Sequence, residues 1–330
     1  MKFGPFGRTG LQVSRLAIGT ATFGNQADEA SSHAMLDKAA EAGINFIDTA
    51  DAYPIGADFS TVGRTEEIIG RWLGGKRERF VIGTKIGGPM GPAQWQRGAS
   101  RKHLLAGIDT SLRRLGTDYV DLYSLHFDDA SVPLEDSAEA MDLIVRSGKA
   151  RYIGVSNFLA YRLARAIGIQ ETRRLTRYVC IQPRYNLLFR EIERELLPLA
   201  LEEGVAVTPY NPLAGGLLTG RYKTQDQPGQ GRFSTAHSFG KIYQERYWND
   251  RAFAAVDMLA KLAQESSLTL PAMAIGWMLG NPAITSVILG ASKPEQLDAT
   301  LHAADDAIDP ALKLRLDEMT TEFRRGDAMR

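Results

Sequence analysis

The chain has 330 residues, of which 44% are hydrophobic, and its 39 Lys and Arg residues are balanced by 39 Asp and Glu residues. This length allows one large domain or two ordinary ones. A net charge of zero argues against a nucleic acid or an anionic membrane as partner, because both favour a basic protein surface. The single cysteine, Cys180, excludes an internal disulfide. With neither a signal-peptide pattern nor an apolar run of membrane-spanning length, the sequence favours a cytoplasmic protein.

Short apolar segments rich in Val and Ile alternate along the chain with helical patterns. Apolar residues at helical spacing and a closing glycine occur in HLLAGIDTSLRRLG (103–116) and SAEAMDLIVRSG (137–148). Strands that are apolar on both faces are typical of a parallel sheet covered by helices. We predict eight such strands, at 16–20, 44–49, 80–86, 120–126, 150–156, 178–183, 205–210 and 286–290.

Eight strand–helix units predict an α/β fold, a single (β/α)8 barrel of the TIM type that spans residues 1–330. Glycine-rich turns at 4–10 predict an N-terminal β-hairpin that caps the bottom of the barrel. Two connections, 87–100 and 212–244, exceed the usual length and are expected to form long loops at the C-terminal mouth. No GxGxxG motif follows the first strand, which argues against the open-sheet dinucleotide fold. The five histidines show no close metal-ligand spacing, so we predict no metal site.

Titratable side chains stand at or just after the ends of three consecutive predicted strands. Asp48 and Tyr53 follow the apolar run INFI, Lys85 ends the run FVIGTKI, and His126 ends VDLYSLH. In a barrel, these strand ends converge on one mouth, where active sites lie. Taken singly, Lys85 could extend to solvent and His126 could be an ordinary core histidine. Their occurrence together favours an active site.

The chemistry of these four side chains is mutually consistent. A tyrosine loses its proton near pH 10, and an adjacent ammonium group lowers that pKa. A buried ammonium group needs a counter-charge, which Asp48 would supply to Lys85. A histidine facing the same point can orient a polarised oxygen. The set therefore predicts proton donation, with Tyr53 as general acid, to a carbonyl oxygen that becomes an alkoxide.

A reduction of this kind requires a cofactor, because no side chain donates hydride. Amide, hydroxyl and aromatic side chains at later strand ends suit a nicotinamide ring: Ser156, Asn157, Gln182 and Tyr210. Arg221 and Lys293, on loops at the same mouth, suit phosphates. The substrate pocket is expected to be lined by aromatic side chains and the catalytic histidine, namely Phe23, Tyr53, Trp95, His126, Phe127 and Trp248.

Over its whole length the chain resembles the aldo-keto reductase superfamily, within the branch of bacterial ketoreductases and potassium-channel β-subunits. The resemblance rests on FGRTGLQVSRLAIGT, GINFIDTADAY, TKIGG, GVSN, QPRYN, TPYNPLAGGLLTGRY and GASKPEQL. It implies a catalytic tetrad of Asp48, Tyr53, Lys85 and His126, in which tyrosine is the acid, lysine lowers its pKa, aspartate holds the lysine and histidine positions the carbonyl. It also implies nucleotide contacts along several loops: Thr20, Ala21, Asp48, Ser156, Asn157, Gln182, Tyr210, Asn211, Pro212, Leu213, Gly215, Arg221, Gly290, Ala291, Ser292, Lys293, Gln296 and Thr300.

The sequence departs from the family pattern at three places. Ala299 and Thr300 stand where many members have Glu-Asn, so one or two adenine contacts are expected to be missing. Phe127 replaces a small or polar residue after the catalytic histidine, and the insert at 54–63 lengthens the rim of the mouth. Both changes are expected to alter the shape of the substrate pocket.

The function that follows is NADPH-dependent reduction of a small-molecule aldehyde or ketone, or the reverse oxidation of an alcohol, by a monomer or weak homo-oligomer. Lys293 and Arg221 favour NADP over NAD because a 2′-phosphate prefers a cationic partner, and NADH remains an alternative. A second hypothesis is a dedicated keto-sugar or nucleotide-sugar reductase. A third is a nucleotide-sensing binding subunit with little turnover, and the complete tetrad argues against it.

Overall fold

The chain begins with two short antiparallel strands, β1 (Phe3–Pro5) and β2 (Gln12–Ser14). In the computed structural model, which describes residues 1–56, 58–223, 231–234, 238–304 and 308–325, this hairpin covers the bottom of the molecule. The buried ring of Phe6 packs edge-to-face on Phe46, with the ring centroids 5.8 Å apart. Both belong to a separate apolar cluster that includes Val81 and Ala206, the first residues of two barrel strands. The predicted N-terminal cap is therefore confirmed.

Eight parallel strands form the centre of the structure, as predicted. They follow one another around the sheet in chain order, and the last strand pairs with the first. Hydrogen bonds join the two outer strands, since Thr285 N donates to Val207 O at 2.9 Å and Ile288 N donates to Pro209 O at 3.0 Å. The sheet thus curls into a barrel whose strands are β3 (Leu16–Gly19), β4 (Phe46–Asp48), β5 (Val81–Ile86), β6 (Val120–Leu125), β7 (Ala150–Ser156), β8 (Tyr178–Gln182), β9 (Ala206–Val207) and β10 (Val287–Gly290).

Helices surround the barrel, and local sequence signals set their ends. Helix α3 begins after Ser100, whose side chain accepts a hydrogen bond from His103 N, and ends at Gly116 in the left-handed conformation. The α-helices are α1 (Glu29–Glu41), α2 (Arg64–Leu73), α3 (Arg101–Leu115), α4 (Leu134–Arg146), α5 (Ala160–Thr172), α6 (Leu196–Glu203), α7 (Ser238–Tyr247), α8 (Asp250–Glu265), α9 (Leu270–Leu279), α10 (Asp298–Leu301) and α11 (Pro310–Met319). In the described part of the chain, no helix is both long and apolar enough to cross a membrane.

Two predicted segments differ from the structure. The strand predicted at 205–210 is shortened to β9, because Pro209 has no N–H with which to continue the ladder. The long loop predicted at 212–244 contains a 3-10 helix, Ala214–Thr219, and the first part of α7. Residues 224–230 and 235–237 of that loop, and Ala57 of the insert at 54–63, lie outside the described residues.

Candidate active site

A buried ion pair lies at the mouth of the barrel, where β4 and β5 end. Lys85 Nζ donates to Asp48 Oδ2 at 2.7 Å and to Thr49 O at 2.6 Å, and the lysine side chain is only 1% exposed. Burial disfavours the ammonium form, but Asp48 and Tyr53 outweigh it and raise the pKa of Lys85 above its usual value. Lys85 is therefore a positive charge held in a dry site.

The second oxygen of the same carboxylate is also fixed. Gln182 Nε2, at the end of β8, donates to Asp48 Oδ1 at 2.9 Å. Gln182 is held in turn by Ser156, whose hydroxyl donates to its carbonyl oxygen at 2.8 Å. The backbone N–H and the hydroxyl of Thr20 both donate to the carbonyl oxygen of Asp48. Asp48 thus connects four strands of the barrel and cannot turn away from Lys85.

Tyr53 lies on the loop after β4, directly against this pair. Lys85 Nζ is 5.1 Å from the centroid of the phenol ring. Burial raises the pKa of Tyr53 above its usual value, whereas Lys85 and Arg232 oppose this rise. The lysine therefore acts in the predicted direction, but burial has the larger effect. The phenol stays protonated at neutral pH and can act as an acid.

His126 follows β6 and faces Tyr53. The two rings meet edge-to-face with centroids 5.7 Å apart, and Phe127 stacks on the imidazole at 4.5 Å. Burial, together with the charge of Lys85, lowers the pKa of His126 well below its usual value. The imidazole is therefore neutral at neutral pH, with one N–H to donate to an oxygen. Its Nδ1 is buried and has no hydrogen-bond partner among the residues that the structure describes.

Asn157 fixes the next part of the mouth. Its backbone is left-handed, with φ at +60°, and its Nδ2 donates to the carbonyl oxygen of His126 at 3.0 Å. Its Oδ1 accepts a hydrogen bond from the hydroxyl of Tyr210 at 2.9 Å. A single amide therefore links the predicted catalytic histidine to the tyrosine predicted to stack on the nicotinamide.

A tight turn follows Tyr210. Asn211, which also has a left-handed backbone, accepts a hydrogen bond from Gly215 N at 2.7 Å through its side chain. Asn186 Nδ2 donates to Asn211 O at 2.9 Å and to Tyr247 Oη at 3.0 Å. A Cβ atom on Gly215 would lie 2.7 Å from Tyr243 Cδ1, so only glycine fits there. The turn contains four of the residues predicted to contact the nucleotide, Asn211, Pro212, Leu213 and Gly215.

The loop after β10 carries the residues predicted to bind the adenosine end. Gly290 and Lys293 are exposed, and Gln296 Oε1 accepts a hydrogen bond from Ser292 N at 2.8 Å, which closes the turn. Thr300 is buried and its hydroxyl donates to Leu297 O at 3.1 Å, so its burial does not support the predicted nucleotide contact. Ala291 is likewise buried, whereas Ala21, on the first strand–helix loop, is partly exposed.

The predicted pocket walls divide into two groups. Trp95 and Phe127 project from the loops after β5 and β6 and are 60% and 51% exposed. Phe23 has no exposed surface and lies in the hydrophobic core, and its burial does not support a place in the pocket. Trp248 is half-buried against Tyr222, Phe233 and Phe253, with ring centroids 4.9–5.5 Å away. Its contact with a substrate stays a prediction.

Sequence reasoning missed a second group of charges near the site. Asp51 and Glu66 are buried, and burial raises the pKa of both carboxyl groups. Glu66 accepts hydrogen bonds from Thr84 and Arg114 at 2.7 and 3.2 Å. The sequence could have indicated that Asp51 is buried, because this acid lies between two alanines in TADAY, directly after an apolar strand. No three or more His, Cys, Asp or Glu residues of the described chain form a group suited to a metal ion.

The chain is similar to known proteins over most of its length. Residues 15–319 match the sequence model of the Aldo/keto reductase family. A "Probable voltage-gated potassium channel subunit beta" of Arabidopsis thaliana is 38% identical over 312 residues, which cover 92% of each chain. The "Uncharacterized oxidoreductase YrpG" of Bacillus subtilis is 36% identical over 327 residues, 97% of this chain and 96% of that protein. The "L-glyceraldehyde 3-phosphate reductase" of Escherichia coli is 32% identical over 312 residues, 93% and 88% of the respective chains.

Proposed function

Because the chain belongs to the aldo/keto reductase family, we propose that it reduces an aldehyde or ketone with NADPH and that Tyr53 is the general acid. The family and the relatives named as oxidoreductases make the protein an oxidoreductase of the carbonyl-reducing type. The assignment of Tyr53 as general acid rests on one observation, the contact between its protonated phenol and Lys85, which is buried and paired with Asp48. That contact supplies both a proton and a means to stabilise the phenolate left behind.

The proposed mechanism assigns one task to each member of the site. Neutral His126 donates a hydrogen bond to the carbonyl oxygen and orients it toward Tyr53. The phenol transfers its proton to that oxygen as negative charge develops on it, and an alcohol results. Lys85 stabilises the phenolate, while Asp48 neutralises the lysine in the absence of water. When bound, the nicotinamide supplies hydride to the carbonyl carbon.

The residues around the mouth fit a nicotinamide dinucleotide. The side chains of Ser156, Asn157 and Gln182 are fixed by hydrogen bonds and present amide and hydroxyl groups for a carboxamide. Arg221 and Lys293 are both exposed, and Arg221 Nη2 donates to the hydroxyl of Tyr222, so both side chains remain suited to phosphates. We propose NADPH over NADH because the 2′-phosphate gains a cationic partner that NADH cannot use.

The test is turnover and nucleotide binding by the Tyr53→Phe variant. Absorbance loss of NADPH is followed with a panel of aliphatic, aromatic and sugar aldehydes and ketones, and nucleotide affinity is measured by fluorescence. We expect turnover to fall at least about 100-fold because the acid is lost, with NADPH affinity unchanged. Tyr119→Phe is the matched control, since Tyr119 precedes β6 at the opposite end of the barrel. Substantial residual turnover by Tyr53→Phe would remove it from the acid role.

A second candidate function is a nucleotide-sensing subunit, which the relative named as a potassium channel subunit favours. The buried Lys85–Asp48 pair and the neutral imidazole of His126 argue for turnover instead. Tight NADPH binding without turnover of any carbonyl in the panel would favour the sensing function. Turnover restricted to keto-sugars would favour the dedicated sugar reductase.

A further inference from the structure

Phe127 directly follows the predicted catalytic histidine, and the proposed mechanism gives it no task. Its ring is 51% exposed and stacks on the imidazole of His126, with the ring centroids 4.5 Å apart and the two planes inclined by only 9°. Tyr53 meets the same imidazole edge-to-face, with an angle of 77° between the planes. His126 therefore contacts two aromatic rings, and one of them is the proposed acid.

A hydrogen bond at Nδ1 does not fix the orientation of the imidazole. Within the ranges that the structure describes, no residue forms a hydrogen bond with this nitrogen, which is buried. A proton on Nδ1 would be a buried N–H group without an acceptor, which is costly, so the proton of the neutral ring belongs on Nε2. Packing must therefore hold the ring in the orientation in which Nε2 donates to a carbonyl oxygen.

The backbone on both sides of Phe127 is held in place. Before it, the carbonyl oxygen of His126 accepts a hydrogen bond from Asn157 Nδ2 at 3.0 Å. After it, the carboxylate of Asp128 accepts two hydrogen bonds from Arg162, at 2.7 and 2.8 Å. Because the main chain is anchored at these two points, the ring of Phe127 is a fixed surface for the imidazole.

We propose that Phe127 is a positioning residue, whose ring covers one face of His126 and holds the imidazole in the plane in which it offers its N–H group to the carbonyl oxygen. The inference rests on the proposed function and adds one residue to it. A stacked arrangement resists rotation of either ring, because rotation out of the stack loses contact between the faces. The role is particular to this chain, since the small or polar residue that is usual at this position has no ring to stack. The simpler alternative is that Phe127 only lines the substrate pocket.

The kinetics of Phe127→Leu and Phe127→Tyr separate the two roles. The substrate is the smallest carbonyl of the panel that the unaltered protein reduces, because a small substrate depends least on an aromatic wall for its binding. We expect Phe127→Leu to lower kcat about 2- to 10-fold with little change in KM, since an apolar side chain is kept but the stack is lost. Phe127→Tyr keeps a flat ring and should retain kcat. Tyr161→Leu, which removes a 64% exposed tyrosine on α5, is the matched control.

NMR of the histidine ring nitrogens tests the same contact without any need for turnover. In protein labelled at histidine, these signals report which nitrogen of His126 carries the proton and how the ring titrates between about pH 5 and 8. His126→Asn identifies them by their loss. We expect a single Nε2–H form in the unaltered protein and in Phe127→Tyr, and a mixture of the two forms in Phe127→Leu. Burial lowers the pKa of His126, so the water admitted in Phe127→Leu should let the ring titrate at a higher pH.

Two results would overturn the proposal. A change confined to the KM of bulky or aromatic substrates, with kcat and the NMR signals of His126 unaltered in Phe127→Leu, would show that Phe127 only lines the pocket. An equal loss of kcat in Phe127→Tyr and Phe127→Leu would show that the flat ring is not what matters. If the unaltered protein reduces no carbonyl, the proposed function is lost and the NMR decides alone. Altered signals in Phe127→Leu but not in Phe127→Tyr then support the positioning role, and unaltered signals in both refute it.

Discussion

Replacement of Asp48 by Asn should destabilise the folded protein, because it leaves the Lys85 ammonium buried without its counter-charge. The two side chains are 5% and 1% exposed, so water cannot replace the lost interaction. Breaking a buried pair by removal of one partner typically costs about 3–5 kcal/mol of unfolding free energy. Lys85→Met should have a similar effect, since it leaves the carboxylate buried with Gln182 as its remaining side-chain partner.

The expected change can be expressed as a shift in the thermal unfolding midpoint. A chain of 330 residues has an unfolding entropy of about 0.7 kcal/mol/K near 60 °C. A loss of about 3–5 kcal/mol therefore lowers Tm by about 4–7 °C. The double variant Asp48→Asn/Lys85→Met removes both charges, so it should be less destabilised than the two single variants predict when they are added.

Scanning calorimetry of the four proteins measures this coupling without any need for activity, which all three variants should lose. An exposed pair provides the matched control, because Lys149 Nζ and Asp109 Oδ1 are 2.6 Å apart but the side chains are 39% and 45% exposed. There the same cycle, Asp109→Asn and Lys149→Met, should give a coupling of only about 0.2–1 kcal/mol. Strict additivity at the buried pair, or a coupling no larger than at the exposed pair, would refute the argument.

The two remaining predictions concern charge at the edges of the site. Lys293→Ala should weaken NADPH binding about tenfold or more and leave NADH binding nearly unchanged, because only NADPH carries the 2′-phosphate. Fluorescence titration measures both affinities, and equal losses would mean that Lys293 does not contact this phosphate. Asp51→Asn should raise Tm by an amount that grows with pH above about pH 4. Burial raises the pKa of the Asp51 carboxyl, so the folded state holds a proton that the unfolded chain releases. The unaltered protein therefore loses stability as the pH rises, whereas the variant has no carboxyl group there to titrate. A Tm difference that is constant or shrinks with rising pH would contradict this reasoning.

The framework of the site follows from local sequence pattern. The apolar runs that end in Asp48 and Lys85 are buried on both faces, so their positions in the barrel were predictable to within two residues. Because consecutive strands of a barrel are neighbours, the convergence of their end residues was also predictable. The one strand that was badly predicted is β9, where the proline lies inside an otherwise apolar run.

Features that depend on contacts between distant segments were not predictable in the same way. The pKa of Tyr53 depends on two opposing effects. The charge of Lys85 can be read from the sequence, but the burial of the phenol is determined only by the folded loops. Trp248 looked like a pocket wall, but rings from three other places in the chain surround it. Arg232 belongs to no motif, and its position depends on the packing of Phe233. Long-range packing therefore decided which aromatic and cationic groups face the mouth.

The N-terminal hairpin has a practical consequence for handling the protein. Met1 lies beside Gly43, in the turn that leads into the bottom of β4, so the first residue is at the end of the barrel opposite to Tyr53. The hairpin is also tied to the end of α6, where Arg8 N donates to Gly204 O at 3.1 Å. A linker fused ahead of Met1 should therefore immobilise the protein on a sensor chip or resin with its mouth directed toward the solution.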